Sequence, residues 1–217
     1  LPEEDKEAIN KLKEQVEYDF LKEDIPELIR SCKDGAERTK NIILDLKSFS
    51  RMEEMVINDI DIHKEIDTTL NILHNKYKNR ITVKKEFSDI PTVESYGGQL
   101  NQVFMNILDN AAYAIKDEGE VIIKTYQVDD KVVIEFIDNG CGIPKEHLDK
   151  ICDPFFTTKP VGQGTGLGMS ISYKVIKNHN GDIKIDSVEG EGTKVTVSLP
   201  ISGLKAKVKE DSTIMPG

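Results

Sequence analysis

The stretch DPFFTTKPVGQGTGLGMS, residues 153–170, decides the fold of this 217-residue chain. Its second half is a glycine run, Gly162 to Gly168, which leads into a segment with the apolar spacing of a helix. Glycines at the start of a helix let backbone N–H groups approach phosphate oxygens. No lysine–serine pair follows the run and no strand leads into it, so it is neither a P-loop nor a dinucleotide fingerprint. By itself the run fits a plain flexible loop better than a phosphate site, so the neighbouring residues must decide.

The first half of the same stretch combines adjacent aromatic residues with a basic one. Phe155 and Phe156 indicate an anchor that packs when a loop closes, and Lys159 follows at a position suited to contact with phosphate. A lone lysine is more often an ordinary surface residue. This half is therefore also ambiguous when it is considered alone.

Upstream, a predicted strand that reads as buried ends in Asp138, and the sequence continues Asn139-Gly140-Cys141-Gly142. A carboxylate held at a strand end can accept a hydrogen bond from an exocyclic amine such as that of adenine. Such a contact discriminates strongly, because a buried acceptor is costly to leave unpaired. The structural alternative, an Asx turn that closes a hairpin, is equally compatible with these residues.

Two asparagines, Asn106 and Asn110, lie four residues apart and therefore share one face of a helix predicted from about Gly98 to Ile115. An amide oxygen is a suitable ligand for Mg²⁺, which prefers oxygen atoms and keeps several waters. Amides beside a core face cost free energy unless they are hydrogen-bonded. The structural alternative is that they cap a neighbouring strand.

The first fifty or so residues have the pattern of helices. Asp24, Pro26 and Glu27 have capping-box spacing with proline in the first turn, which predicts a helix that starts near Asp24. An apolar seam then recurs in steps of four and three. We predict dimerisation through this seam; the alternative is that the helix packs on its own globular domain. The seam positions are Ile25, Ile29, Cys32, Ala36, Thr39, Ile43, Leu46 and Ser50.

Composition argues against several functions. The formal net charge is −10, and an acidic chain lacks the basic face that general binding to nucleic acid or to an anionic membrane needs. No stretch approaches the roughly 20 apolar residues of a membrane span. We therefore expect no nucleic-acid partner, no membrane contact by this chain and a cytoplasmic location, either of the whole protein or of one part of a membrane-bound one.

Taken together and in this order, the four blocks closely resemble the N, G1, F and G2 boxes of histidine protein kinases, within the Bergerat-fold ATPases. The resemblance spans about Ile57 to Pro200, and residues 35–51 are similar to the second dimerisation helix of such kinases. It implies an α+β protein whose catalytic domain, 57–201, is a two-layer α/β sandwich. That domain would have a mixed, mostly antiparallel sheet with helices on one face, preceded by a helical dimerisation segment, 1–56. The tail, 202–217, lacks periodicity and is predicted to be disordered.

The resemblance also implies roles for single residues. Asn106, Asn110 and Lys159 are the expected catalytic residues, with Asn110 as the Mg²⁺ ligand and Lys159 as a phosphate contact. Asp138 is expected to bind adenine with help from Gly142 and, through water, from Thr193, while Gly164, Gly166 and Gly168 form a closing lid. The remaining residues expected to contact ATP are Tyr113, Gly140, Ile143, Phe156, Thr158, Thr165 and Leu167.

Three departures from the family pattern sharpen the expectation. Asn106 stands where hydrolysing relatives have a glutamate, and an amide cannot serve as a general base, so hydrolysis should be slow. Tyr113 stands where many histidine kinases have a lysine, which places more of the charge neutralisation on Lys159. The acceptor box is not found, since none of the four histidines, at 63, 74, 147 and 179, is in a suitable position. We expect that the acceptor lies outside this chain and that the chain does not autophosphorylate alone.

The sequence therefore predicts the ATP-binding catalytic part of a sensor histidine kinase, which transfers the γ-phosphoryl of Mg·ATP to a histidine for relay to a response-regulator aspartate. The expected partners are ATP, a response-regulator receiver domain and a second copy of the chain, bound through the N-terminal helices. Two alternatives stay open at this point. One is a conformational ATPase of the same fold, and the other is a non-catalytic dimerisation or regulator-binding module with a vestigial pocket.

Overall fold

The computed structural model describes residues 2–50, 56–96, 98–160 and 164–204. The chain divides into two compact units. The first, the helical unit, consists of Leu1–Leu46 with Thr158–Thr165. The second, the sheet unit, consists of Lys47–Thr157 with Gly166–Gly217. The glycine run is thus divided between the two units.

Two helices dominate the helical unit: α1, Glu3–Gln15, and α2, Tyr18–Ser50. They are separated by a short break at which Glu17 adopts a positive φ of 49°. The predicted start of α2 near Asp24 is wrong, because the helix begins earlier and contains Pro26 in its interior. Proline removes one backbone hydrogen bond from a helix, and a helix of 33 residues can lose one bond and continue.

The apolar seam of α2 lies on the surface of the single chain. Every described side chain of α1 and α2 is exposed. Phe20 is 61% exposed, and Leu28 and Ile29 are similarly accessible. The side chains of Leu46 and Ser50 lie outside those that the structure describes. An apolar row of this kind on a long helix is typical of a surface that another helix covers.

The sheet unit interleaves helices and strands, and it confirms the α+β class. Its strands have four to ten residues. In chain order the elements are β1 Ile57–Ile60, α3 Ile62–Ile72, α4 His74–Tyr77, β2 Ile81–Phe87, β3 Val93–Tyr96, α5 Gln99–Ala114, β4 Gly119–Val128, β5 Lys131–Asp138, α6 Lys145–Leu148, α7 Gly168–Asn178, β6 Asp182–Val188 and β7 Gly192–Pro200.

Five strands form the main sheet in the order β2-β4-β5-β7-β6, and β1 and β3 form a separate antiparallel pair. Within the main sheet only β2 and β4 are parallel, and the other neighbours are antiparallel. The predicted mixed, mostly antiparallel sheet is therefore confirmed. The parallel pair is possible because α5 provides the long crossover that parallel neighbours need.

Helices cover one face of this sheet. On this face alternate residues of β4 and β5 are buried and pair in register, Ile123 with Phe136 for example. In β5 Val133, on the other face, is buried as well. α5 packs against β5 and lies between α3 and α7. On the other face charged side chains form ion pairs, as with Lys124 and Glu86 at 2.7 Å. The arrangement is the two-layer sandwich that the sequence predicts, with helices on one side.

The carboxyl end of α5 is fixed by side chains from the segment before β2. The Arg80 guanidinium donates to the carbonyl oxygens of Ala112, at 2.6 Å, and of Ile115. The Tyr77 hydroxyl donates to the Leu108 carbonyl at 2.8 Å. Carbonyls in the last turn of a helix lack intrahelical donors, so the Arg80 bonds satisfy groups that would otherwise need water, whereas Leu108 lies before the last turn.

The residues after β7 continue along the sheet unit. The Ile201 N–H donates to the Asp130 carbonyl at 2.9 Å, and its own carbonyl accepts from Glu94 N at 3.0 Å. Leu204 is buried. Residues 205–217 lie outside the described residues, so disorder of the tail remains a prediction. Among the described helices, none combines the length and apolar character that crossing a bilayer requires.

Candidate functional site

Asp138 ends β5 on the helix-covered face of the sheet, two residues after the buried Phe136. Its carboxylate accepts hydrogen bonds from the backbone N–H groups of Gly140, at 2.9 Å, and of Thr193. Burial raises the pKa of this carboxyl, and the two hydrogen bonds act in the opposite direction. The bond to Gly140 is the Asx turn considered above. A carboxylate has about four acceptor positions, so this turn does not use up its capacity to accept from a ligand.

The loop after Asp138 is held closely by glycines and by one serine. Gly142 has a φ of +66°, and a Cβ there would overlap the Val188 carbonyl. The Ser187 hydroxyl accepts from Ile143 N at 2.9 Å and donates to the Gly192 carbonyl at 2.7 Å. Glycine is required at 142 because no other residue fits both the backbone angle and the space. These contacts fix the backbone of the Asp138 loop against the turn that joins β6 to β7.

On α5, Asn106 is bound to the start of α7. Its Nδ2 donates to the Gly168 carbonyl at 2.9 Å and to Ser172 Oγ at 3.1 Å. The structural alternative, that the asparagines cap a strand, does not hold for Asn106, because its partners belong to a helix. Asn110 is half-buried on the same face of α5, and Tyr113 is exposed in the last turn.

The Asp138 loop and the two asparagines both lie along α5. Gly140 of the Asp138 loop lies against Ala114, to whose carbonyl Cys141 N donates at 3.0 Å. Ala114 follows Asn110 by one helical turn, and Asn110 follows Asn106 by another, so the three positions span about 12 Å at 1.5 Å per residue. From the carboxyl end of α5 toward its start, this face therefore presents the Asp138 loop, Asn110 and Asn106. Asn106 in turn contacts the first residue of α7, where the helix N–H groups carry partial positive charge.

The other predicted residues fall in two groups. Gly166, with a φ of +69°, approaches the backbone of Phe155 so closely that a Cβ would overlap it. The Phe156 ring lies 5.5 Å from that of His147, and Leu167 is buried. Thr158, Lys159, Gly164 and Thr165 belong to the helical unit, so their contacts with ATP stay predictions. Gly162 lies among residues 161–163, outside the described chain.

Several residues of this region escaped the sequence analysis. Ser172, Ser187 and Arg80 each bind backbone or amide groups that position the site, yet none stands in a motif. Ser172 lies 66 residues from Asn106, and Ser187 lies 44 from Ile143. A single sequence has no local signal for such distant partners.

The donor set fits magnesium nucleotide better than a metal held by protein alone. Among the described residues, no three His, Cys, Asp or Glu side chains form a metal cluster. Amide oxygens suit Mg²⁺, which usually takes few protein ligands and binds substrate phosphates and waters. A sheet with helices on one face, a buried carboxylate loop, paired amides and a glycine-rich helix start together define a nucleotide-binding domain of the ATPase and kinase class.

Comparison with known proteins agrees with this class. Residues 96–203 match the family described as histidine kinase-, DNA gyrase B- and HSP90-like ATPases. The catalytic domain of histidine kinase ThkA is similar over 68% of this chain and 97% of that domain, with 30% identity and a TM-score of 0.62. The chain belongs to the histidine kinase-like ATPase family and contains the ATP-binding catalytic domain of a sensor kinase.

Two further similarities are informative. Sporulation kinase E of Bacillus subtilis is 33% identical over 168 residues, which cover 76% of this chain and 22% of that protein. ThkA in complex with response regulator protein TrrA shares the fold, with a TM-score of 0.66 and 24% identity over 78% of this chain and 49% of that one. The chain spans only 20% to 38% of the length of the first curated relatives.

Proposed function

We propose that the chain transfers the γ-phosphoryl of Mg·ATP to a histidine located outside it, for relay to an aspartate of a response regulator. The observation that carries the proposal is the single face of α5 that connects Asn106, Asn110 and the Asp138 loop. In phosphoryl transfer, catalysis consists almost entirely of positioning and charge neutralisation. Adenine bound at Asp138 would direct the triphosphate toward the two amides and the start of α7.

Transfer to a protein is favoured over hydrolysis. The Asn106 amide has no basic atom, and both N–H bonds of its Nδ2 already have acceptors in α7. A water molecule there would lack a general base. The ATP of this site is therefore retained until a better nucleophile, a histidine imidazole, is presented.

The described histidines support an acceptor outside the chain. His179 is 1% exposed, its Nδ1 donates to the Val175 carbonyl at 2.7 Å, and its Nε2 accepts from Tyr96 N at 3.2 Å. His63 stacks on Phe87 with ring centroids 4.2 Å apart. Both have packing roles, and neither α1 nor α2 contains a histidine.

The partners proposed for the chain are inferred from the exposed seam of α2 and from a similar kinase in complex with a response regulator. A second copy of the chain is the proposed occupant of the seam, because Leu28 and Ile29 are exposed along a helix about 50 Å long. The response regulator in the ThkA complex supports a receiver domain as the second partner. Lys159, Gly164 and Thr165 are proposed to contact the phosphates, and Mg²⁺ is proposed to bind Asn110.

The test mixes the chain with Mg·ATP and a separate polypeptide that carries the acceptor helix of a histidine kinase. Acid-labile phosphate should appear on the polypeptide and not on this chain. Asp138→Asn should abolish the transfer, and Asp149→Asn, at an exposed position beyond α6, should leave it unchanged.

Other outcomes would favour the alternatives. Release of inorganic phosphate without a phosphorylated polypeptide would indicate a conformational ATPase. At a hundredfold excess over Kd, Mg·ATP should stabilise the fold by about 2.7 kcal/mol. A melting temperature that does not change with Mg·ATP would indicate a vestigial pocket.

A further inference from the structure

The contact between Asn106 and α7 holds an amide group between two acceptors. Nδ2 donates to the Gly168 carbonyl at 2.9 Å and to Ser172 Oγ at 3.1 Å. Ser172 is fully buried, and its hydroxyl donates to the same Gly168 carbonyl at 2.9 Å. Three polar groups thus form a closed set of hydrogen bonds between α5 and α7.

The donors and acceptors around the Asn106 amide permit only one orientation of its carboxamide. A carbonyl can only accept, and a hydroxyl has one proton, which Ser172 donates to Gly168. Toward Asn106, both partners therefore present lone pairs. If the amide were reversed, its oxygen would face the Gly168 carbonyl, and two buried acceptors without a proton between them are unfavourable.

We propose that Ser172 is a positioning residue that fixes the Asn106 carboxamide so that its oxygen is the atom offered to Mg·triphosphate. The inference rests on the proposed function. An amide oxygen can ligate Mg²⁺, whereas an amide NH₂ can only donate to phosphate oxygens. With both N–H bonds committed to α7, Asn106 acts on the metal, as an amide ligand in addition to Asn110, and not on the phosphate.

The consequence is a dependence of the metal site on a residue that does not touch the nucleotide. Ser172→Ala removes one of the two acceptors and keeps a good helix former. Ser170→Ala is the matched control, because Ser170 is half-buried in the same helix and its hydroxyl donates to the Leu167 carbonyl at 2.9 Å. Both variants lose one helix-bound hydroxyl, and only the first loses a partner of Asn106.

The first measurement is the Mg²⁺ concentration that gives half-maximal ATP binding, with adenosine affinity measured beside it. Loss of an outer partner of a metal ligand typically weakens the metal by tenfold or more, so about tenfold more Mg²⁺ is expected for Ser172→Ala. Ser170→Ala should match the wild type, and adenosine affinity should stay the same in both. In an Asn106→Ala background, Ser172→Ala should cause no further change.

The second measurement needs no nucleotide. The ¹⁵N–¹H signal of the Asn106 side chain, identified by its loss in Asn106→Ala, should move in Ser172→Ala and stay in place in Ser170→Ala. Equal effects of the two serine variants, or equal losses of Mg·ATP and adenosine, would overturn the inference and leave the proposed function intact. A wild-type chain that does not bind Mg·ATP would overturn both.

Discussion

Helices α2 and α5 have the same kind of amphipathic sequence, but they differ in the burial of their apolar residues. In α5 the apolar positions Val103, Phe104 and Leu108 are fully buried, whereas Ile25, Leu28 and Ile29 of α2 are exposed. α5 lies over a sheet and between two helices, and none of the described residues of the helical unit lies in a sheet. The spacing of apolar residues indicates that a helix has a face to cover, and it does not indicate what covers that face.

The largest expected effect comes from truncating a buried ring of α5. Phe104 has no exposed surface, and its ring centroid lies 5.7 Å from that of Phe136. Phe104→Ala should lower the free energy of unfolding by about 3–5 kcal/mol, through lost burial and the cavity left behind. Urea denaturation followed by circular dichroism measures this.

Phe20→Ala in α2 is the matched control, since Phe20 is 61% exposed. Its effect on the same transition should stay within about 0.5 kcal/mol. Similar losses for the two variants would mean that the Phe20 side of α2 is covered, within the chain or by a second copy, and the contrast between the helices would disappear.

The second effect concerns the carboxyl end of α5. Arg80→Ala removes the donors of Ala112 and Ile115 and should cost about 2 kcal/mol, the scale of a hydrogen bond from a charged group. Arg80→Lys should recover little of it, because an ammonium cannot reproduce the guanidinium fork. Arg30→Ala, on the exposed surface of α2, should leave thermal unfolding unchanged. An Arg30 effect as large as that of Arg80 would contradict the prediction.

A smaller effect should appear as pH dependence at the end of α7. Burial lowers the pKa of His179 below its ordinary value of 6.5, so the unfolded chain binds this proton more readily than the folded one. Stability from neutral His179 is therefore fully present above pH 6.5 and decreases as the pH falls below it, by at most about 1.4 kcal/mol per pH unit.

The measurement is urea stability between pH 7 and pH 5.5, an interval of about 1.5 units around the ordinary histidine pKa. His179→Gln should flatten the dependence, because glutamine does not titrate. His74→Gln, at an exposed position, should keep the wild-type slope. A slope that is identical in all three proteins would show that other groups cause it.

The smallest effect on unfolding is expected for the α2 seam, where the change should appear in self-association. Ile29→Asn should shift the chain from dimer to monomer in sedimentation at micromolar concentration, while unfolding of the sheet unit changes by less than about 0.5 kcal/mol. Glu27→Gln, which leaves the apolar row intact, is the control. If the wild-type chain sediments as a monomer at this concentration, the seam is not a dimer interface.

Local patterns predicted most of the sheet unit. The helices around Ile66 and Phe104 and the hairpin at Asp129 have periodic or turn signals within a few residues. β1 and β3 have only four residues each, too few for a period to stand out, so no local pattern predicts them.

What could not be predicted depends on distant partners or on competing effects. Pro26 and its neighbours have the local signature of a helix start, yet the longer helix continues through them. The candidate site residues Asn106, Asn110 and Asp138 could be selected from the sequence because their motifs are local. Ser172 was missed, since its role exists only once α5 and α7 are packed together.

The close backbone approach at Gly142 and Gly192 determines how a saturation mutagenesis map of this domain should be interpreted. Both have a positive φ, and any side chain would overlap a carbonyl, of Val188 in one case and of Asp138 in the other. Every substitution there should score as a loss, even in an assay of abundance without nucleotide. Gly35 of α2 has open space around it and should tolerate alanine. On such a map, losses at the glycines beside the site therefore indicate failed folding. Only positions that lose activity while keeping normal abundance indicate contact with the ligand.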